Sequence, residues 1–116
     1  MLRQQLKSKI HRAKITDGNV EYEGSISIPE ELMQAADIWQ GEKVLVASIT
    51  SGNRLETYAI PGKKGSRDIV MNGAAAKLIN VGDTVTIMSF ALADYHITPR
   101  ILLLSDRNEV IAERGF

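Results

Sequence analysis

The sequence predicts a mainly β protein, a closed barrel of short strands with short helices, and three observations predict it. Apolar and polar residues alternate over several short stretches, as in strands with one buried face. Turn-forming Gly, Pro, Asn and Asp residues separate those stretches at short intervals. A weak internal repeat relates Ala35-Ala36-x-Ile38-x-x-Gly41-Glu42-x-Val44-x-Val46 to Ala76-x-x-Ile79-x-x-Gly82-Asp83-x-Val85-x-Ile87. In each copy a short helix ends at Gly, an acid follows, and a β-branched strand begins. Two copies of such a unit suggest a pseudo-twofold barrel, because closure removes exposed edges.

The elements follow in order. Residues 4–16 read as a strand with Leu6, Ser8 and Ile10 on one face and Lys7, Lys9 and His11 on the other. Residues 21–28 read as a second strand interrupted at Gly24. Pro29-Glu30-Glu31 opens a helix, since Pro suits the first turn and acids favour the positive end of the helix dipole. Leu32, Ala35, Ala36 and Trp39 form its apolar face, and Gly41 ends it. Lys43–Ile49 is a β-branched strand, Ser51-Gly52-Asn53 a hairpin turn, and Arg54–Ile60 the returning strand, stopped by Pro61-Gly62. Residues 63–66 form a loop and 69–71 a brief strand. Residues 74–78 form a short helix capped by Asn72 or Gly73. Strands at 84–90 and 101–104 complete the barrel, and the polar tail after Arg107 is expected to fray.

A chain of 116 residues accommodates one domain. Fourteen basic and fourteen acidic side chains cancel, which argues against a dedicated nucleic-acid binder or a polybasic membrane anchor. Without cysteine, disulfides, thiol catalysis and cysteine-ligated zinc are excluded. No apolar run reaches a membrane span or a signal-peptide core, so a cytoplasmic location is expected. His11 and His96 are too far apart in sequence to support a metal site.

Four constellations could carry chemistry. In Gly24-Ser25 a hydroxyl stands beside a peptide carbonyl whose residue has no side-chain bulk. Attack by that hydroxyl converts the amide to an ester, and elimination then releases the upstream chain. Read alone, a Gly-Ser step is simply a turn, as nearly all such pairs are. In "RLETYAI" (54–60), alternation puts Arg54, Glu56 and Tyr58 on one face and Leu55, Thr57 and Ala59 on the other. This pairs a fixed cation for carboxylate with a phenolic proton donor, or else makes a solvated strand. "MNGAAAK" (71–77) offers a helix start with little bulk, suited to an anion or to tight packing. Lys7, Lys9 and His11 form a basic face that either lines an anionic pocket or is simply solvated.

Six segments together carry a resemblance: "KSKIHRAKIT" (7–16), "YEGSISI" (22–28), "AADIWQGEKV" (35–44), "GNRLETYAI" (52–60), "NGAAA" (72–76) and "GDTVTI" (82–87). In this order and spacing the chain resembles the aspartate 1-decarboxylase family of pyruvoyl-dependent enzymes. The resemblance implies a double-psi β-barrel, a homotetramer with active sites between subunits, and decarboxylation of L-aspartate to β-alanine and CO₂ for pantothenate synthesis. It implies autocatalytic cleavage between Gly24 and Ser25. The products would be a β chain of residues 1–24 and an α chain of residues 25–116 headed by a pyruvoyl cofactor made from Ser25. That ketone would take the substrate amine as a Schiff base and act as electron sink. With serine at 25, the chain as written is the uncut precursor.

Residue roles come from the same resemblance. Thr57 matches a residue that assists cleavage and meets substrate, and Tyr58 the proton donor. Gly73, Ala74 and Ala75 match a backbone segment that binds substrate. Arg54 and Lys9 match carboxylate-holding cations, and Tyr22, His11 and Asn72 pocket or orienting positions. Because Thr57 and Tyr58 alternate, the site is expected at a strand edge closed by a neighbouring subunit. A maturation helper protein is left open; neither nucleic acid nor membrane is expected as partner. The alternative is a swapped-hairpin barrel that regulates DNA, whose basic first strand would meet phosphate. A barrel with purely assembly duties is a third reading.

Overall fold

The computed structural model describes residues 1–115. The chain runs β1 (Arg3–Lys14), β2 (Asp17–Asn19), β3 (Ser25–Pro29), α1 (Glu30–Ala36), β4 (Lys43–Ser48) and β5 (Arg54–Gly62). It continues through β6 (Val70–Asn72), α2 (Ala75–Leu78), β7 (Thr84–Ala93), β8 (Arg100–Leu104) and β9 (Val110–Arg114). The strand order is β2-β6-β3-β5-β4-β7-β1-β8-β9. Because β1 runs almost directly into β2, the two ends of the segment β2 to β1 belong to one bent strand. The sheet therefore closes on itself, and the predicted mainly β barrel is what forms. Alternation along the strands sends Ile10, Ala13, Ile26, Ile28, Val44, Val46, Ala59, Val85 and Ile87 into one buried cluster. α1 adds Leu32, Met33 and Ala36.

The repeat is structural. Gly41 N–H donates to the Ala59 carbonyl (2.8 Å) while Ala59 N–H donates to Glu42 (3.0 Å). In the other half Gly82 N–H donates to Ile15 (2.8 Å) and Ile15 N–H to Asp83 (2.9 Å). The acids act alike: Glu42 accepts the Trp39 N–H and Asp83 the Asn80 N–H. Gly41 and Gly82 have φ of +84° and +92°, a conformation open to glycine without steric cost. Two of the three parallel pairs, β3 with β5 and β6 with β2, also correspond. Val46 and Ile87, equivalent in the repeat, are direct partners across β4 and β7. The pseudo-twofold axis therefore passes between them.

Several expectations change. Residues 20–24 form a turn, so the second strand starts at Ser25 rather than at 21. Its pairing with β5 and β6 begins only there. α1 ends at Asp37, which takes the left-handed cap, and Trp39 lies outside the helix, largely exposed. Gly41 serves the turn into β4. α2 has Ala74 at its N-cap position and no side-chain cap. β5 continues through Pro61 and Gly62, because its last residues pair in parallel with β3.

The tail does not fray: Val110–Arg114 is a strand antiparallel to β8. Asn108 anchors it. Its Oδ1 accepts the Lys14 N–H (2.7 Å), and its Nδ2 donates to the carbonyls of Lys14 and Arg67 (2.9 Å each).

Candidate active site

The β3–β6 register places Ser25 opposite Asn72. Both are buried. Asn72 Nδ2 donates to Ser25 Oγ (3.1 Å), and Ser25 Oγ donates to the Glu23 carbonyl (3.2 Å). Asn72 belongs to β6, two residues before the N-cap position of α2, and its side chain turns to the serine instead.

Gly73 has φ of +73°, and a Cβ built there would lie 2.6 Å from Gly24 Cα and 2.8 Å from Gly24 N. Only a residue without a side chain admits Gly24 so closely. Gly73 N–H also donates to the Asn19 carbonyl (2.8 Å), which fixes the start of the 20–24 turn. Gly24 then lines a cleft of about 360 Å³ with Leu55, Glu56, Thr57, Ala74, Ala75 and Leu78. The alanines at the start of α2 leave this space open. Tyr22 contributes its backbone near Gly73, while its side chain is exposed.

Of the remaining expected site residues, Tyr58 stands one strand over from Ser25, since Ile26 pairs with Ala59 in the β3–β5 register, while Arg54, Lys9 and His11 lie farther off on the chain. Arg54, Glu56 and Tyr58 share the outer face of β5, with Thr57 on the other face, as alternation requires. Across that outer face the register runs Glu56, Leu45, Met88, Lys9. Lys9 therefore stands three strand spacings from Glu56, roughly 14 Å. His11 Nδ1 lies 3.2 Å from Thr86 Oγ1. Burial holds the His11 imidazole below its ordinary pKa, and the nearby charges of Lys9, Arg12 and Arg114 push it further down. The ring is thereby biased toward the neutral form. Lys7, on the same strand face, is committed to structure: its Nζ pairs with Glu42 (3.1 Å) and bonds the Asp37 carbonyl at the end of α1.

One chain thus presents two groups. Gly24, Ser25, Thr57, Asn72, Gly73, Ala74 and Ala75 gather at one end of the barrel. Arg54, Lys9 and His11 spread over an outer sheet face, and Tyr58 links the two groups, beside Ser25 in the β3–β5 register. Sequence reasoning missed Thr86, whose contact with His11 depends on the β1–β7 pairing. It also missed Lys43, which sits opposite Tyr58. Only period-two alternation in Lys43–Ile49 could have put Lys43 on an exposed face.

A second Gly-Ser step, Gly65-Ser66, lies 41 positions after the first, the same offset as Gly41 to Gly82 and Val44 to Val85. Its surroundings differ. Ser66 Oγ accepts the Asp68 N–H (2.9 Å) in a local turn. Glu31, at the offset of Asn72, accepts the Gly65 N–H with its carboxylate (3.1 and 3.2 Å). A negative group there disfavours an oxyanion at the adjoining carbonyl, whereas the first step has a neutral amide.

The class so defined is a small closed β-barrel with a buried serine, directly after a glycine, held by an asparagine amide at the barrel end. The family model described as aspartate decarboxylase matches residues 1–111. Over 110 residues the chain is 51% identical to an aspartate 1-decarboxylase of Caldicellulosiruptor bescii, covering 91% of this chain and 86% of that protein. Over 114 residues it is 48% identical to an aspartate 1-decarboxylase of Thermotoga sp. (strain RQ2), covering 98% and 100%. An aspartate 1-decarboxylase of Acetivibrio thermocellus is 46% identical over 110 residues, covering 91% and 87%. The chain belongs to the aspartate decarboxylase family, which sets aside the DNA-regulator alternative. No helix among the described residues is long and apolar enough to cross a membrane.

Proposed function

We propose that this chain is a precursor that cuts itself between Gly24 and Ser25 and then decarboxylates L-aspartate to β-alanine and CO₂. The observation that carries the reading is the Asn72 amide on Ser25 Oγ (3.1 Å), with Gly24 pressed against Gly73.

In self-cleavage Ser25 Oγ adds to the Gly24 carbonyl carbon, and the C–N bond breaks, giving an ester and a free Ser25 amine. Loss of the Ser25 Cα proton expels the Gly24 carboxylate. Tautomerisation and addition of water release ammonia and leave a pyruvoyl group at residue 25. No oxidant or reductant is needed. Thr57, which lines the same cleft as Gly24, donates to the developing oxyanion in this reading. The products are residues 1–24 and 25–116.

The residues fit the pyruvoyl group: Ser25 supplies its atoms, Asn72 borders it, and Gly73 through Ala75 leave room. When present, it supplies an electron sink for the carbanion left as CO₂ departs. The protein does the rest. Backbone groups of Gly73, Ala74 and Ala75 bind substrate, and Arg54 and Lys9 hold its carboxylates, Arg54 as a planar fork. Tyr58 supplies the proton to carbon. Tyr22 and neutral His11 border the pocket. Lys9 and His11 lie on β1, three strands from β5, while Ser25 and Tyr58 lie at the barrel end, so a second copy completes each site. A homotetramer in the cytoplasm, serving pantothenate synthesis, is the assembly and setting this reading adopts.

Ser25→Ala tests it. Intact mass should show wild type splitting after Gly24 with a pyruvoyl-headed large fragment, and Ser25→Ala whole, releasing no CO₂ from aspartate. No fragment should begin at Ser66. A Ser25→Ala protein that still splits after Gly24 contradicts the reading.

A further inference from the structure

Glu56 joins two clefts. It lines the Gly24 cleft with Thr57 and Ala74. It also lines a neighbouring cleft of about 430 Å³ on the outer sheet face, with Gln4, Lys43, Val44, Leu45 and Phe90. No other lining residue of these two clefts is common to both. Its carboxylate Oε2 is 2.8 Å from Lys43 Nζ. Lys43 in turn is the cross-strand partner of Tyr58. An ion pair thus stands where the barrel-end site opens onto the face that carries Arg54 and Tyr58.

A carboxylate in this position is at odds with the substrate proposed above. Aspartate brings two carboxylates and one ammonium. A bare Glu56 would repel the carboxylates and attract the amine that the reaction needs free. Paired with Lys43 at 2.8 Å, its field is largely cancelled at the distance of an entering substrate. In the single chain each partner is more than half exposed, so the pair adds little to its stability and its outward field is screened by salt. What points to substrate entry is the pair's position between the two clefts rather than its strength.

We propose that the Lys43–Glu56 pair is a charge gate for the dicarboxylate substrate, with Lys43 neutralising the acidic side chain that lines both clefts. The proposal rests on the aspartate decarboxylase reading. Both residues are positioning residues, with no part in bond making.

Steady-state CO₂ release from L-aspartate tests it, at low and high salt, normalised to the fraction split after Gly24. Lys43→Met should raise KM about fivefold at low salt, with kcat little changed. Glu56→Gln leaves the ammonium unopposed and should lower KM about threefold. The double variant should return near wild type, Lys43→Arg should restore it, and all differences should shrink at high salt. The inhibition constant of succinate, a dicarboxylate without an amine, should move in the same directions. Single variants that shift KM the same way, or not at all, overturn the gate, as do shifts of equal size at both salt levels. Wild type that neither splits nor releases CO₂ would instead overturn the underlying reading.

Discussion

Gly73 shows how one residue decides whether the site exists. Its φ is +73°, and the space a Cβ would need is taken by Gly24 Cα and N and the Tyr22 carbonyl. Gly73→Ala therefore meets a left-handed backbone cost of about 1–2 kcal/mol together with a clash against backbone that cannot give. The expected outcome is a lower urea midpoint and loss of scission after Gly24, read by denaturation and intact mass. Asn72 shows the reverse dependence. Sequence alone made it a cap or a pocket residue, and pairing with Ser25 makes it the serine's partner. His11 is a third case. Its lowered pKa means the unfolded chain takes up a proton first as pH falls below about 6.5, so this residue lowers stability on acidification.

At the level of elements, the C-terminal strand departs most from a propensity reading. β9 is exposed along its length and looks like a polar tail. It is held because Asn108, with φ of +58°, turns the chain and buries its amide against Lys14 and Arg67. Asn108→Ala removes three hydrogen bonds and leaves the Lys14 groups unpaired, at a cost of about 2–4 kcal/mol. Asn108→Gly keeps the turn accessible but loses the same bonds. Thermal unfolding should show both variants well below wild type, with the glycine variant the less affected. A change under about 0.5 kcal/mol in both would mean the clasp contributes little. The Gly-Glu and Gly-Asp turns before β4 and β7 were legible in advance, since Gly and an acid at fixed spacing suffice to write them.

For the whole molecule the proposed reading implies division of labour between copies. Ser25 lies at the barrel end, and Lys9 lies beyond β4 and β7 from β5. Mixing should therefore restore what each variant lacks. In the proposed reading Ser25→Ala cannot form the pyruvoyl group, and Lys9→Ala lacks a carboxylate-binding cation. Co-expressed in one cell, they should release more CO₂ from aspartate than the two produced separately, because some mixed sites hold both groups. Activity no greater than the sum of the separate proteins would show that each copy builds its own site.

The alternation in β1, β4, β5 and β7 and the Gly-acid repeat determined a mainly β barrel with an internal twofold, because both are local rules of backbone and burial. The segments around Gly24, Thr57 and Asn72 also carried the family. What local rules could not say is which residues meet. The Asn72–Ser25 bond, the closeness of Gly24 to Gly73, the Asn108 clasp and the Lys43–Glu56 pair at the cleft mouth join residues from 13 to 94 positions apart in sequence. Such contacts are set by strand register and barrel closure, and only the tertiary structure decides them.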